Sequence, residues 1–307
     1  MFKYSKAIVL IVFVFLFAMC NQKSKNETGN ETILKGAIDV TVDETVKPIV
    51  DDQVAVFEGT YYDAKISIKP KSEAEVINDL LNQKTKVVVT ARDLTKEELE
   101  RFEKLKIKPR VTPFAKDAVA LISSKSNNDT LIALKTVVDF MQGKSDSRIK
   151  GLVFDNPNSS TVRYMKELAK VKDIPSTGVF SFKTNDEVIK FVSENEGMIG
   201  IVGVNWLSQP SANMADIIKK INVLSVKGLN DNTYYSPTQN DLAEEKYPLA
   251  RDLFIINCQG YTGLGMGFSS FIAGEIGQRI VLKSGLLPYK VPSRKLKIRN
   301  EIIKVKE

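Results

Sequence analysis

The densest hydrogen-bonding chemistry in the chain lies in 158-NSST-161, within 151-GLVFDNPNSSTVRYMKEL-168. Ser159, Ser160 and Thr161 place three hydroxyls and their backbone amides side by side. That exceeds what capping a helix requires. Two other stretches, 43-DET-45 and 90-TARD-93, share the setting of an apolar run, a short polar turn and a helical pattern. Such junctions leave backbone N–H groups unpaired at the positive end of a helix dipole. Brought together, they would hold an anion without any excess of net charge. Taken singly, each also reads as an ordinary helix cap. Arg92 offers a planar guanidinium that can grip an oxyanion with two bonds. A surface pair with Asp93 or Glu97 is the alternative for it.

Catalytic chemistry has less to work with. The chain has no histidine. This removes Ser-His-Asp and Cys-His arrangements and any histidine metal site. Ser159 or Ser160 with Asp155 would be a nucleophile and an acid with no base to bridge them. An enzyme, a hydrolase above all, is therefore disfavoured, and neither cofactor nor metal is expected. Cys258, in LFIINC, reads as a small apolar core residue rather than a nucleophile.

These junctions need elements to position them. GAIDVTV (36–42) alternates and reads as a strand, followed by a helical stripe from near Thr45 through Val46, Ile49, Val50, Val54 and Phe57. KISI (65–68) and KVVVT (86–90) are strands. Ser72 to Glu75 and Thr95 to Glu98 are capping boxes that open helices. VALIS (119–123), GLVF (151–154), VFSF (179–182) and MIGIVGV (198–204) are further strands. Helices are expected over 129–143, from about Ser160, over 185–195 and, as one long apolar element, over 263–288. Strands alternating with helices predict an α/β fold with parallel sheets, which bind ligands at the carboxyl ends of their strands. Tyr234, Tyr235 and Trp206 are candidates for lining a cleft, with core or rim packing the commoner role.

The N-terminus reads as a targeting segment. Lys3 and Lys6 precede thirteen apolar residues ending at Met19, a length suited to a signal-peptide core. FAMC resembles a lipobox, which makes residues 1–19 a lipoprotein signal and Cys20 the lipidation site. Residues 20–33 read as a tether. Without Lys3 and Lys6 the chain carries 42 basic and 37 acidic residues. The excess lies in the C-terminal tail, with seven basic and two acidic groups from 290 to 307, so the body is neutral. A neutral body argues against a nucleic-acid surface.

Together these segments resemble the phosphate-binding proteins of ABC-type phosphate transporters, over most of residues 34 to 290. The resemblance rests on 116-KDAVALI-122, on 159-SST-161 against the family's Ser-Gly-Thr anion loop, on 196-EGMIGIVG-203 and on 247-YPLARDLFI-255. It implies a two-lobed α/β "Venus flytrap". Lobe 1 would span 34–118 plus 248–292, lobe 2 would span 119–247, and 293–307 would be a basic tail. Inorganic phosphate or a similar oxyanion would lie between the lobes. Thr45, Thr90, Arg92, Ser159, Ser160 and Thr161 would donate to it, and Asp155 would accept a ligand proton. The partner would be an ABC permease. The protein would act as a monomer, lipid-anchored through Cys20 in a bacterial cell envelope. Two departures stand out. Asp155 lies where the family often has arginine, and Ser160 where it has glycine. Arg92 is the expected replacement for the missing cation. The same departures suit a structural or signalling lipoprotein that kept the fold and lost the ligand.

Overall fold

The computed structural model describes residues 31–144 and 148–291. Cys20, the signal and tether, and the basic tail lie outside the described residues. The first half begins with β1 (Gly36–Asp43), a short 3-10 turn (Glu44–Val46), α1 (Lys47–Thr60), β2 (Ala64–Lys71), α2 (Glu73–Leu81), β3 (Val87–Thr90) and α3 (Lys96–Lys104). β4 (Arg110–Ser124) follows, a strand of 15 residues. Next come β5 (Leu131–Ala133), α4 (Leu134–Met141), β6 (Gly151–Phe154), α5 (Ser160–Ala169), β7 (Val179–Ser181), α6 (Asn185–Glu194), β8 (Met198–Gly203), α7 (Val204–Ser208) and α8 (Ala215–Ile218). The chain closes with β9 (Ile221–Val223), β10 (Ser225–Lys227), β11 (Tyr234–Tyr235), α9 (Gln239–Ala243), β12 (Ala250–Asn257), α10 (Leu264–Ala273), α11 (Glu275–Lys283) and β13 (Leu287–Pro288).

The main sheet runs β2-β1-β3-β12-β4-β8-β6-β7. Its outer pairs, β1 with β2 and β3, and β6 with β7 and β8, are parallel as expected. Its centre is not. β12 lies antiparallel to β3 and β4, and β4 lies antiparallel to β8. The physical reason is that β12 returns between β3 and β4, and β4 is a through-strand. Residues 110–118 of β4 pair with β12, whereas residues 119–122 pair with β8. One strand thus serves two halves of the sheet and changes partner at Ala118.

Two expected helices differ. The 129–143 helix starts only at Leu134, because Leu131–Ala133 joins β10 as a parallel strand. The Asn127 and Asp129 carboxamide and carboxylate accept backbone N–H groups two residues on, which favours the extended entry. The 263–288 helix breaks at Gly274, whose ψ of 175° is extended. Gly277 then packs so closely that a Cβ would lie 2.4 Å from the Phe271 and Ile272 carbonyl oxygens.

Burial follows the pattern of the sequence. Val40 and Val42 of β1, Phe57 of α1 and Leu152 and Phe154 of β6 join one core that draws on both halves. Smaller clusters lie under α6, around Val188, Ile189 and Val192, and under α2 and α3, around Leu80 and Phe102.

Candidate functional site

Both halves end strands at one seam. β1 delivers Asp43, and the 3-10 turn after it presents Thr45. β6 delivers Asp155, and Ser159 caps α5, its Oγ accepting from the Val162 N–H at 3.2 Å. Ser160 and Thr161 form the first turn of that helix. All these side chains are buried. The Thr45 and Ser160 hydroxyls meet across the seam at 2.6 Å. Thr45 Oγ1 also donates to Asp43 Oδ2 at 2.6 Å, and the Thr45 N–H to Asp43 Oδ1 at 3.2 Å.

The cation at this seam is Arg251. It is 5% exposed and lies on β12 directly opposite Asp117 of β4. Its Nε and Nη2 donate to Asp117 Oδ2 at 3.0 and 2.9 Å. Its Nη1 is aimed at Ser160 Oγ (3.0 Å) and Thr161 Oγ1 (3.4 Å). Asp117 therefore orients a guanidinium whose remaining donors face the hydroxyls. The seam is closed tightly around Gly203: a Cβ there would stand 2.7 Å from Asn205 Oδ1, 3.2 Å from the Thr45 carbonyl oxygen and 3.4 Å from Arg251 Nη2. Asn205 is fully buried, and neither side-chain atom has a hydrogen-bond partner among the described residues. Trp206 reaches across to donate from Nε1 to the Thr45 carbonyl at 2.8 Å.

Two carboxyls are held here at a high proton affinity. Burial pushes Asp43 up to about 6, with Glu73 adding to the effect and Arg251 opposing it. Burial pushes Asp155 up to about 7, against the hydrogen bond from Ser159. Asp155 neither pairs with Arg163 nor faces solvent. It takes the Ser159 hydroxyl on Oδ1 and the Asn185 amide on Oδ2. Outside them, Glu44 is raised to about 7, again by burial and by Asp43.

Arg92 is committed elsewhere, contrary to its expected role as replacement cation. Its guanidinium makes two bonds to Glu98, at 2.7 and 2.8 Å, and a third to the Asp93 carbonyl. Glu98 is the capping-box residue of α3, so cap and cation fix each other. Thr90 turns its hydroxyl to the Arg92 carbonyl at 2.7 Å. The 90–93 turn also precedes the helix start, which falls at Thr95. Of the expected donors, Ser160 and Thr161 meet one cation, Thr45 reaches it only through the Ser160 hydroxyl, Ser159 meets Asp155, and Thr90 and Arg92 stay within their own loop. Arg251 and Asn205 were not expected. The signal for Arg251 was present: a charge on the inward side of an alternating strand, matched by Asp117 in a second strand. Tyr234 and Tyr235 form β11 of the small three-stranded sheet, separate from the main sheet.

Beside the seam, a second set of contacts joins the halves. Arg163 Nε bonds Glu73 at the start of α2, and its Nη2 reaches the Ala91 carbonyl at 3.3 Å. The Ala74 N–H donates to the Asn158 carbonyl at 3.2 Å.

Residues 26–275 match the family model described as a PBP superfamily domain. The chain is 27% identical to the phosphate-binding protein PstS of Borreliella burgdorferi, over 93% of this chain and 99% of that one. A Clostridium perfringens structure, assigned as a phosphate ABC transporter substrate-binding protein with bound phosphate, superposes with a TM-score of 0.68 at 20% identity, covering 83% of this chain and all of that one. An ABC-type phosphate transport receptor from Vibrio cholerae gives 0.62 at 15% identity, covering 82% of this chain and 100% of that one. These likenesses establish the two-lobed α/β fold.

Proposed function

The chain belongs to the PBP superfamily, and from that premise we propose that it binds phosphate or a similar oxyanion between two lobes and delivers it to an ABC permease. The observation that carries this is the convergence of Thr45, Ser160, Thr161 and the Arg251 guanidinium at a buried seam. Neutral hydroxyls, the first turn of α5 and one oriented cation are the donor set an oxyanion needs. Asn205, buried without a partner, adds an amide at the same place. The relatives' phosphate chemistry supports the same ligand class.

The lobes in this proposal are 34–118 with 248–292, and 119–247, joined by β4 and β12. Binding is an opening and closing of the seam, without catalysis. Closure removes water and strengthens each hydrogen bond by lowering the local dielectric. Asp155, with Asp43 beside it, selects for anions that carry a proton to share. A fully deprotonated anion meets two carboxylates and is rejected. Lipidation at Cys20 and a monomeric state in the cell envelope complete the proposal. Among the described residues, no helix is long and apolar enough to cross a membrane.

The test is the melting temperature of the full-length protein with phosphate, sulfate or molybdate at matched ionic strength. At a hundredfold excess over Kd a bound ligand adds about 2.7 kcal/mol of stability. A shift with phosphate and none with sulfate is expected. No shift with any of the three overturns the transport proposal in favour of a scaffold that has lost its ligand.

A further inference from the structure

A cavity of about 550 Å³ opens beside the seam, lined on one side by Glu73 and Arg92 and on the other by one face of α5. That face presents Arg163 and Lys166, three residues apart within the helix and hence on one side of it, between the N-cap Ser159 and the C-cap Lys170, which line the same cavity. The volume falls in the range of sites for whole organic ligands, roughly 300–1,000 Å³. A bare tetrahedral oxyanion already has its donors at the seam and needs none of this space.

The charges of the cavity are not balanced. Glu73 is taken by Arg163, and Arg92 by Glu98. Glu167 also pairs with Arg163, at 2.9 Å. Lys166 and Lys170 have no ion-pair partner among the described residues. Lys166 lies within the helix, where side chains lean toward the N-terminus and so toward Ser159, while Lys170 caps the helix in the left-handed conformation. Two turns separate Ser159 from Lys166, about 10 Å along the axis. The Lys166 side chain covers part of that distance, and a small molecule with a phosphoryl group at the seam and a second anionic group on a short carbon chain covers the rest.

We propose that the cavity is a subsite for the substituent of an organic phosphate or phosphonate, and that Lys166 and Lys170 recognise a carboxylate or second phosphoryl group on it. This rests on the oxyanion reading of the seam. The seam binds the tetrahedral head, and the cavity reads what is attached to it.

Calorimetry on the full-length protein with three probes tests this: inorganic phosphate, methylphosphonate and 3-phosphonopropionate. 3-Phosphonopropionate is expected to bind more tightly than methylphosphonate, whose substituent is uncharged. Lys166→Ala with Lys170→Ala, at surface positions that leave the core intact, is expected to weaken 3-phosphonopropionate about five- to tenfold while leaving the other two within about twofold. If phosphate binds and 3-phosphonopropionate binds no more tightly than methylphosphonate, the subsite is overturned and the seam stands. An equal loss for all three probes in the double variant overturns it as well. If no probe binds, the seam reading itself fails and the subsite fails with it.

Discussion

Arg251 occupies a position where an alternating strand would place an aliphatic residue, and it survives there because Asp117 faces it across the β12–β4 ladder. A buried guanidinium is tolerated only when paired and fully hydrogen-bonded. Removing it should hurt twice. Arg251→Ala leaves Asp117 buried and unpaired, a loss of about 3–5 kcal/mol by denaturant titration. It should also abolish phosphate binding at concentrations where the variant is still folded. Asn205 makes the contrasting case. Its side chain is unpartnered, so Asn205→Leu should leave stability unchanged or slightly raised while weakening phosphate binding by calorimetry. A stability loss without an affinity loss would remove Asn205 from the site. Asp43 and Asp155 set the pH response. Burial holds them at about 6 and about 7 in the fold. An unfolded aspartate titrates near 4. The folded protein thus binds more protons across that window, so their contribution to stability is full below about pH 4 and is lost as pH rises through about 6 and 7. Asp155→Asn should narrow the fall in melting temperature between about pH 5 and about pH 8. It should also let sulfate bind, since the repelling carboxylate is gone. Much of this was hidden from sequence. The hydroxyls of 159-SST-161 announced an anion loop, but which cation would reach them depends on strand pairing over more than ninety residues, and periodicity carries no such information.

At the scale of elements, the chain declares itself clearly where local rules decide. Both capping boxes form as their spacing predicts, with Glu75 closing on Ser72 and Glu98 on Thr95. The outer strands are parallel because helices cross between them. The central strands escaped that rule, since alternation cannot distinguish a strand that returns from one that continues. The break at Gly274 was equally illegible: an apolar stripe runs through it, and the close approach of Gly277 to the Phe271 and Ile272 carbonyls exists only in the fold. Gly203 joins element to site. Its φ is −69°, so glycine is required there by space and not by backbone conformation. Gly203→Ala would press a methyl against Asn205 Oδ1 and the Thr45 carbonyl oxygen. It should destabilise by about 1–3 kcal/mol and weaken phosphate binding more than that loss of stability explains. Unchanged affinity in a folded variant would place the ligand away from this corner.

The described residues form two halves that share β4 as a through-strand, and in the proposed function the ligand enters and leaves as their seam opens. Arg163, Glu73 and the Ala91 carbonyl span that seam outside the buried hydroxyls. In the proposed function they would act as a clasp, close charges that hold the closed form without touching a ligand in the seam. Arg163→Ala should remain folded, show a larger radius of gyration in solution scattering, and release phosphate faster with little change in its on-rate. In the proposed function Thr45, Ser160, Thr161 and Arg251 hold the oxyanion. Isothermal calorimetry of inorganic phosphate on the full-length protein and on Ser160→Ala is the test. Saturable one-to-one binding that weakens at least about tenfold in Ser160→Ala is the expected result. Equal binding by the two proteins, or no heat from either, would contradict it.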